Sequence, residues 1–102
     1  GKGGRRQDYV HTDDIAAAVA ACIEQRPRGV YNLGSGRSIS NLELAQLCIE
    51  TLGSWSEISF GDKADPEEEA RWDVSIDKAR KTFGYAPHAD LRDLIRALAE
   101  TR

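Results

Sequence analysis

Gly4-Arg5-Arg6-Gln7-Asp8-Tyr9-Val10-His11-Thr12-Asp13-Asp14-Ile15 decides how the chain is read. Two guanidinium side chains follow a glycine-rich lead-in, Tyr9-Val10-His11 is a β-prone run, and the pattern then switches abruptly to helix signals. Thr12 or Asp13 is expected to cap that helix, because a short side-chain oxygen accepts from the free N–H groups of the first turn. Asp13 and Asp14 stand where the helix dipole favours negative charge. From Asp13 to Glu24 the residues Ile15, Ala18, Val19, Cys22 and Ile23 recur at helical spacing as one apolar stripe. Pro27 ends the run. Residues 1–7 are expected to be mobile unless a ligand or a neighbouring segment orders them.

Downstream, Gly29-Val30-Tyr31-Asn32-Leu33 reads as a strand and Gly34-Ser35-Gly36 as the turn after it. Ser40-Asn41-Leu42-Glu43 is a capping box, flanked by Ile39 and Leu44 at the positions of a hydrophobic staple. The helix that follows carries Leu44, Leu47, Cys48 and Leu52 to Gly53, a residue suited to a left-handed cap. Glu57 to Phe60 alternates as a short half-buried strand. The acidic connector Gly61-Asp62-Lys63-Ala64-Asp65-Pro66-Glu67-Glu68-Glu69 is expected to be a solvated loop. Ser75 is expected to cap a third helix with Ile76, Ala79 and Phe83 inward, closed by Gly84. Asp90 caps a fourth with Leu91, Leu94, Ile95 and Leu98 on one stripe. The order predicts an α/β fold, three or four helices on a small, mainly parallel sheet.

One small domain is all that 102 residues allow. With 40% hydrophobic and 30% charged residues the composition is that of a folded chain rather than a disordered one. A net charge of −3 gives no broad basic face for nucleic acid. No apolar run has the length of a membrane span, and no signal-peptide pattern opens the chain. Cys22 and Cys48 read as thiols on the apolar faces of two helices, as in a cytoplasmic protein. The chain contains no Met, even at position 1, and so reads as processed, truncated or cut from something longer.

Several chemistries fail on residue type. Gly34-Ser35-Gly36 lacks the third glycine of a dinucleotide-binding loop, Ile39 standing in its place, so it reads as a simple turn. No tyrosine has a lysine one helical turn later, since Tyr9, Tyr31 and Tyr85 are followed at that distance by Asp13, Ser35 and Ala89. His11 and His88 lack a nucleophile-elbow context. Asp13 and Asp14 beside His11 are explained as helix-start residues rather than metal ligands. Anion binding is what remains: Arg5 and Arg6, with Lys2, lie on a glycine-rich segment, and a guanidinium offers a planar fork matched to phosphate oxygens.

Arg6 to Ala16 resembles the R-(x)-D-[YF]-[VI]-[HY]-V-x-D motif of the extended short-chain dehydrogenase/reductase family, which holds the NAD-dependent nucleotide-sugar epimerases and dehydratases. Gly29 to Gly36 followed by Ser38-Ile39-Ser40 is similar to that family's G-x-Y-N-[LIV]-G-[SA]-G…S-[IV] segment. Trp72 to Arg80 with Phe83-Gly84-Tyr85-Ala86-Pro87 resembles its D-x-S-K-A…L-G-[YF]-x-P ending. The three motifs cover nearly the whole chain in the family's order.

The resemblance implies that this chain corresponds to the C-terminal third of such an enzyme. The family's G-x-x-G-x-x-G cofactor loop and Y-x-x-x-K catalytic pair are missing, so no catalytic residue and no cofactor are expected on this chain alone. NAD or NADP serves the full-length family. A nucleotide-diphosphate sugar is the implied ligand, its diphosphate contacted by Arg6, with Arg5 a competitor because Gln7 intervenes before Asp8. Lys63 would stand in for a second family arginine, as a point charge without the bidentate fork. Residues 13–36 would complete the cofactor domain's sheet in the whole enzyme and the rest would form the substrate lobe. Apolar faces, above all on the Ala-rich first helix, would then await the N-terminal Rossmann portion or a second copy of the chain. The alternative is a stand-alone oligomerising interaction module derived from a truncated epimerase.

Overall fold

A computed structural model describes residues 1–101. Its elements are β1 (Arg6–Asp8), α1 (Thr12–Gln25), β2 (Ser38–Ser40), α2 (Asn41–Leu52), α3 (Asp77–Phe83) and α4 (Leu91–Glu100). β1 and β2 pair antiparallel, with Arg6 opposite Ser40, Gln7 opposite Ile39 and Asp8 opposite Ser38. On the other edge of β1 the backbone of Arg6 forms a single parallel bridge to Arg71. There the Arg6 N–H donates to Ala70 O at 2.9 Å and the Trp72 N–H donates to Arg6 O at 3.1 Å.

The four helices are as expected, but the sheet is a correction: antiparallel, with one parallel bridge, instead of mainly parallel. Tyr9–His11, Val30–Leu33 and Glu57–Phe60 are not strands. A strand needs a neighbour for its backbone N–H and C=O groups, and among the described residues these three runs have none. Side-chain alternation at 30–33 nevertheless holds. Tyr31 and Leu33 pack on the core while Val30 and Asn32, the alternate residues, are exposed.

Local capping chemistry explains the helix ends. Ser40 Oγ accepts from the Glu43 N–H at 3.1 Å, and Asp90 accepts from the Arg92 N–H at 2.8 Å. Gly53 (φ 60°) and Gly84 (φ 75°) close α2 and α3 in the left-handed conformation. Two caps differ from expectation. α1 is capped by His11, whose Nδ1 accepts from the Asp13 N–H at 3.0 Å, and α3 begins after Ile76 rather than at Ser75. α1 ends on Arg26, itself left-handed at φ 52°, just ahead of Pro27.

Ala18, Ala79, Phe83 and Tyr85 form the buried core, with Ala21, Cys22, Tyr31, Leu33 and Ile76 packed around it. The Tyr31 ring meets Phe83 edge-on at 5.2 Å, and the Lys78 ammonium sits 4.6 Å from the centre of the same ring. α2 packs on α4, where Ile95 is buried. The apolar stripe of α1 is only half used. Ala18 is buried, whereas Val19 is 49% and Ile23 73% exposed. A compact 102-residue domain has a radius of gyration near ~13 Å; here it is 16.4 Å, in a slab of 49 × 33 × 18 Å. Among the described residues no large side chain is fully buried.

Candidate functional site

Consecutive residues of an extended segment project to opposite sides, and Arg5 and Arg6 do so. Arg5 turns toward the connector. Its Nε and Nη2 donate to the two carboxylate oxygens of Asp65 at 3.3 and 2.6 Å, and its Nη1 lies 3.1 Å from Glu67 Oε2. Arg6 turns toward α2, where Nη1 donates to Glu43 Oε1 at 2.7 Å while Nε and Nη2 donate to Ser38 Oγ and O at 3.1 and 3.0 Å. The two guanidinium groups therefore do not converge. Lys63 lies on the Arg5 side, its carbonyl accepting from the Gly1 ammonium at 2.6 Å. Its side chain is exposed and makes no ion pair among the described residues.

The connector is not a free solvated loop, and residues 1–4 are held rather than loose. Glu68 accepts from the Lys2 N–H through one carboxylate oxygen and from the Gly4 N–H at 2.9 Å through the other. The Arg5 hydrogen bond, then the Glu67 N–H, hold the Asp65 carboxyl below the usual carboxylate range. Glu68 is held low by the Gly4 and Lys2 amides, and Glu43 first by Arg6. Charges separated by 60 residues in sequence thus meet, a pairing that no local periodicity announces.

Asp8 and Asp14, two acids of the opening stretch, clamp loops. The Asp8 carboxylate accepts from the Ser35 and Gly36 N–H groups at 2.7 and 3.1 Å. Asp14, only 5% exposed, accepts from the His88 and Ala89 N–H groups at 3.3 and 3.2 Å, on the approach to α4. Tyr85 Oη donates to Gly34 O at 2.7 Å. A Cβ on Gly34 would stand 2.8 Å from Asp8 Oδ2, so a side chain there would push the Asp8 carboxylate out of its place. With both amides taken by Asp8, the 34–36 turn offers no open amide cradle to a dinucleotide pyrophosphate, and the residues do not fit that group.

A cleft of ≈ 860 Å³ opens between the 35–39 loop, α2, the end of α3 and the start of α4. Ile39, Leu47 and Leu94 are among its apolar lining residues, and Arg37, Arg80 and Arg92 supply its positive charge. None of Arg5, Arg6 and Lys63 lines it. Arg80 is paired with Asp77, and Arg92 lies 3.6 Å from Glu50. Arg37 carried one sign in the sequence, its place directly after Gly34-Ser35-Gly36. Arg80 and Arg92 carried none, since both look like ordinary exposed helical positions.

No protein-family model matches the chain. It is 29% identical over 99 residues to a dTDP-glucose 4,6-dehydratase of Streptomyces griseus, an alignment covering 95% of this chain and 30% of that protein. Over 95 residues it is 32% identical to a UDP-glucose 4-epimerase of Corynebacterium glutamicum, covering 87% of this chain and 28% of the relative. Among solved structures it superposes on the Bordetella bronchiseptica enzyme WbmF in complex with NAD+ and UDP, with a TM-score of 0.77 and 29% identity. That match covers 98% of this chain and 29% of that one. The chain thus spans about three-tenths of the length of the relatives it matches. Sequence and fold agree in placing the chain in the extended short-chain dehydrogenase/reductase family of NAD-dependent nucleotide-sugar epimerases and dehydratases.

Proposed function

We propose that this chain is the C-terminal, substrate-binding region of an NAD(P)-dependent epimerase or dehydratase and binds the diphosphate of a nucleotide sugar. Similarity along 95% of the chain to a dTDP-glucose 4,6-dehydratase carries this reading. The side-on fork that Arg5 makes with the two oxygens of Asp65 supports it, since phosphate oxygens suit the same fork. Hydride transfer needs a cofactor and a proton donor, and neither a G-x-x-G-x-x-G loop nor a Y-x-x-x-K pair is present in the sequence. The isolated chain is therefore non-catalytic. Residues 13–36 would lie against the cofactor-binding part of the whole enzyme, and the exposed Val19 and Ile23 on α1 support an apolar neighbour there.

Calorimetry of the 102-residue chain with UDP-, GDP- and dTDP-sugars tests the reading. Millimolar or tighter binding that is lost in Arg6→Ala or in Arg5→Ala is the expected result, and comparing the two variants identifies the arginine in contact. Absence of heat with every nucleotide sugar sinks it and leaves the stand-alone interaction module, which the same exposed α1 face would serve. Turnover of any nucleotide sugar by the purified chain would contradict the non-catalytic part.

A further inference from the structure

We propose that the acidic connector Asp65–Glu68 is an internal anion latch, seated on the basic N-terminal segment in the place of an incoming diphosphate and displaced when one binds. The inference rests on the diphosphate-binding reading above and adds to it how access to Arg5 is controlled.

Two neighbouring anion seats are visible on the N-terminal segment, and carboxylates of the connector fill both. The first is Arg5. Its Nε and Nη2 engage both oxygens of Asp65 in the parallel two-bond pattern that a guanidinium also makes with phosphate, and Glu67 approaches Nη1 at 3.1 Å. All three nitrogens of that guanidinium thus face a carboxylate oxygen of the connector. The second seat is the pair of amides at Lys2 and Gly4, both donating to the Glu68 carboxylate across Gly3, which is left-handed at φ 73°. Main-chain N–H groups converging on one point through a left-handed residue form a concavity for an anion. The chemistry is general to oxygen anions, so a phosphoryl group suits either seat as well as a carboxylate does.

The connector can leave without breaking the core. Glu67 is 62% exposed at its side chain, and residues 61–63 are exposed on the approach to it. Asp65 and Glu67 are joined to the following residues only by short-range turns, Glu68 N–H to Asp65 O at 3.1 Å and Ala70 N–H to Glu67 O at 2.9 Å. The parallel bridge at Arg71 anchors the far end, next to Arg6. Displacement therefore exchanges one set of charge-assisted hydrogen bonds for another, and the apparent affinity of a ligand is reduced by the fraction of chains already latched.

The test compares wild type with the double variant Asp65→Asn, Glu67→Gln, and with Glu67→Gln alone in case the double variant fails to fold. The probes are inorganic pyrophosphate and UDP, followed by calorimetry and by amide hydrogen exchange at residues 65–70. The latch predicts binding about tenfold tighter in the double variant and a smaller gain in the single one. It also predicts faster exchange at residues 65–70 of wild type when pyrophosphate or UDP is added. Equal or weaker binding by a folded variant, or unchanged exchange on saturation of wild type, overturns the latch while diphosphate binding stands. If neither probe binds any of the three proteins, the latch is overturned as well, and the substrate-binding reading fails with it only when every nucleotide sugar is also silent.

Discussion

Tyr85 and Gly34, 51 residues apart, are joined by a buried hydrogen bond in which the phenolic Oη donates to the Gly34 carbonyl at 2.7 Å. The next two residues give their N–H groups to Asp8, so the 34–36 turn is gripped at a carbonyl on one side and at two amides on the other. This double grip ties β1 to the α3–α4 loop through a turn that has no strand partner of its own.

Tyr85→Phe removes the donor and leaves the Gly34 carbonyl buried without its partner, an expected loss of about 1 kcal/mol in chemical denaturation. Burial first, and then the negative charges of Asp14 and Asp8, push the Tyr85 hydroxyl above its ordinary value of 10.0. A raised acid holds its proton longer in the folded state. Its stabilising contribution is complete below pH ~10 and lost as pH rises through the folded value. Alkaline destabilisation should accordingly be shallower in Tyr85→Phe, and an identical slope in the two proteins would contradict the assignment.

Asp14→Ala strips the charged acceptor from the His88 and Ala89 amides and should cost about 1.5–3 kcal/mol, the range for hydrogen bonds to a charged group. Amide exchange at 88 and 89 should accelerate more than at the centre of α2. Uniform acceleration throughout would mean that Asp14 acts on the whole fold and not on this loop.

Asp65, Glu68 and Glu43 are all held below the usual carboxylate range, by Arg5, by the Gly4 and Lys2 amides, and by Arg6 respectively. Groups depressed on folding contribute fully above their unfolded values near ~4 and lose that contribution as pH falls through the lower folded ones. The Lys2 and Gly4 amide signals, followed by NMR in an acid titration, should hold steady down to about pH 4 and shift below it. A transition centred above about pH 5 would show that another group governs the segment.

Val19→Lys and Ile23→Lys place charges on the outer face of α1, where both residues are exposed. Each should change the stability of the isolated chain by no more than about 0.5 kcal/mol. A loss of 2 kcal/mol or more, about what burying a Val or Ile side chain is worth, would place that face inside this chain's own core.

What the sequence determined unaided lies within a few residues along the backbone. Ser40, Gly53, Gly84 and Asp90 each act on N–H or C=O groups one turn away or on their own φ, so α2, α4 and the end of α3 were legible, whereas α3 starts after Ile76 and not at Ser75. The family motifs, read as Arg6 to Ala16, Gly29 to Ser40 and Trp72 to Pro87, were legible for the same reason. Only the tertiary structure decided which runs became strands, because Tyr9–His11, Val30–Leu33 and Glu57–Phe60 carry β-prone patterns and lack a hydrogen-bonding neighbour. It also decided where Arg5, Arg6, Asp8 and Asp14 point. Their partners, Asp65, Glu43, Gly36 and Ala89, lie 60, 37, 28 and 75 residues away, and a charge read in sequence states the kind of group it will bond without stating which one chain folding brings within reach.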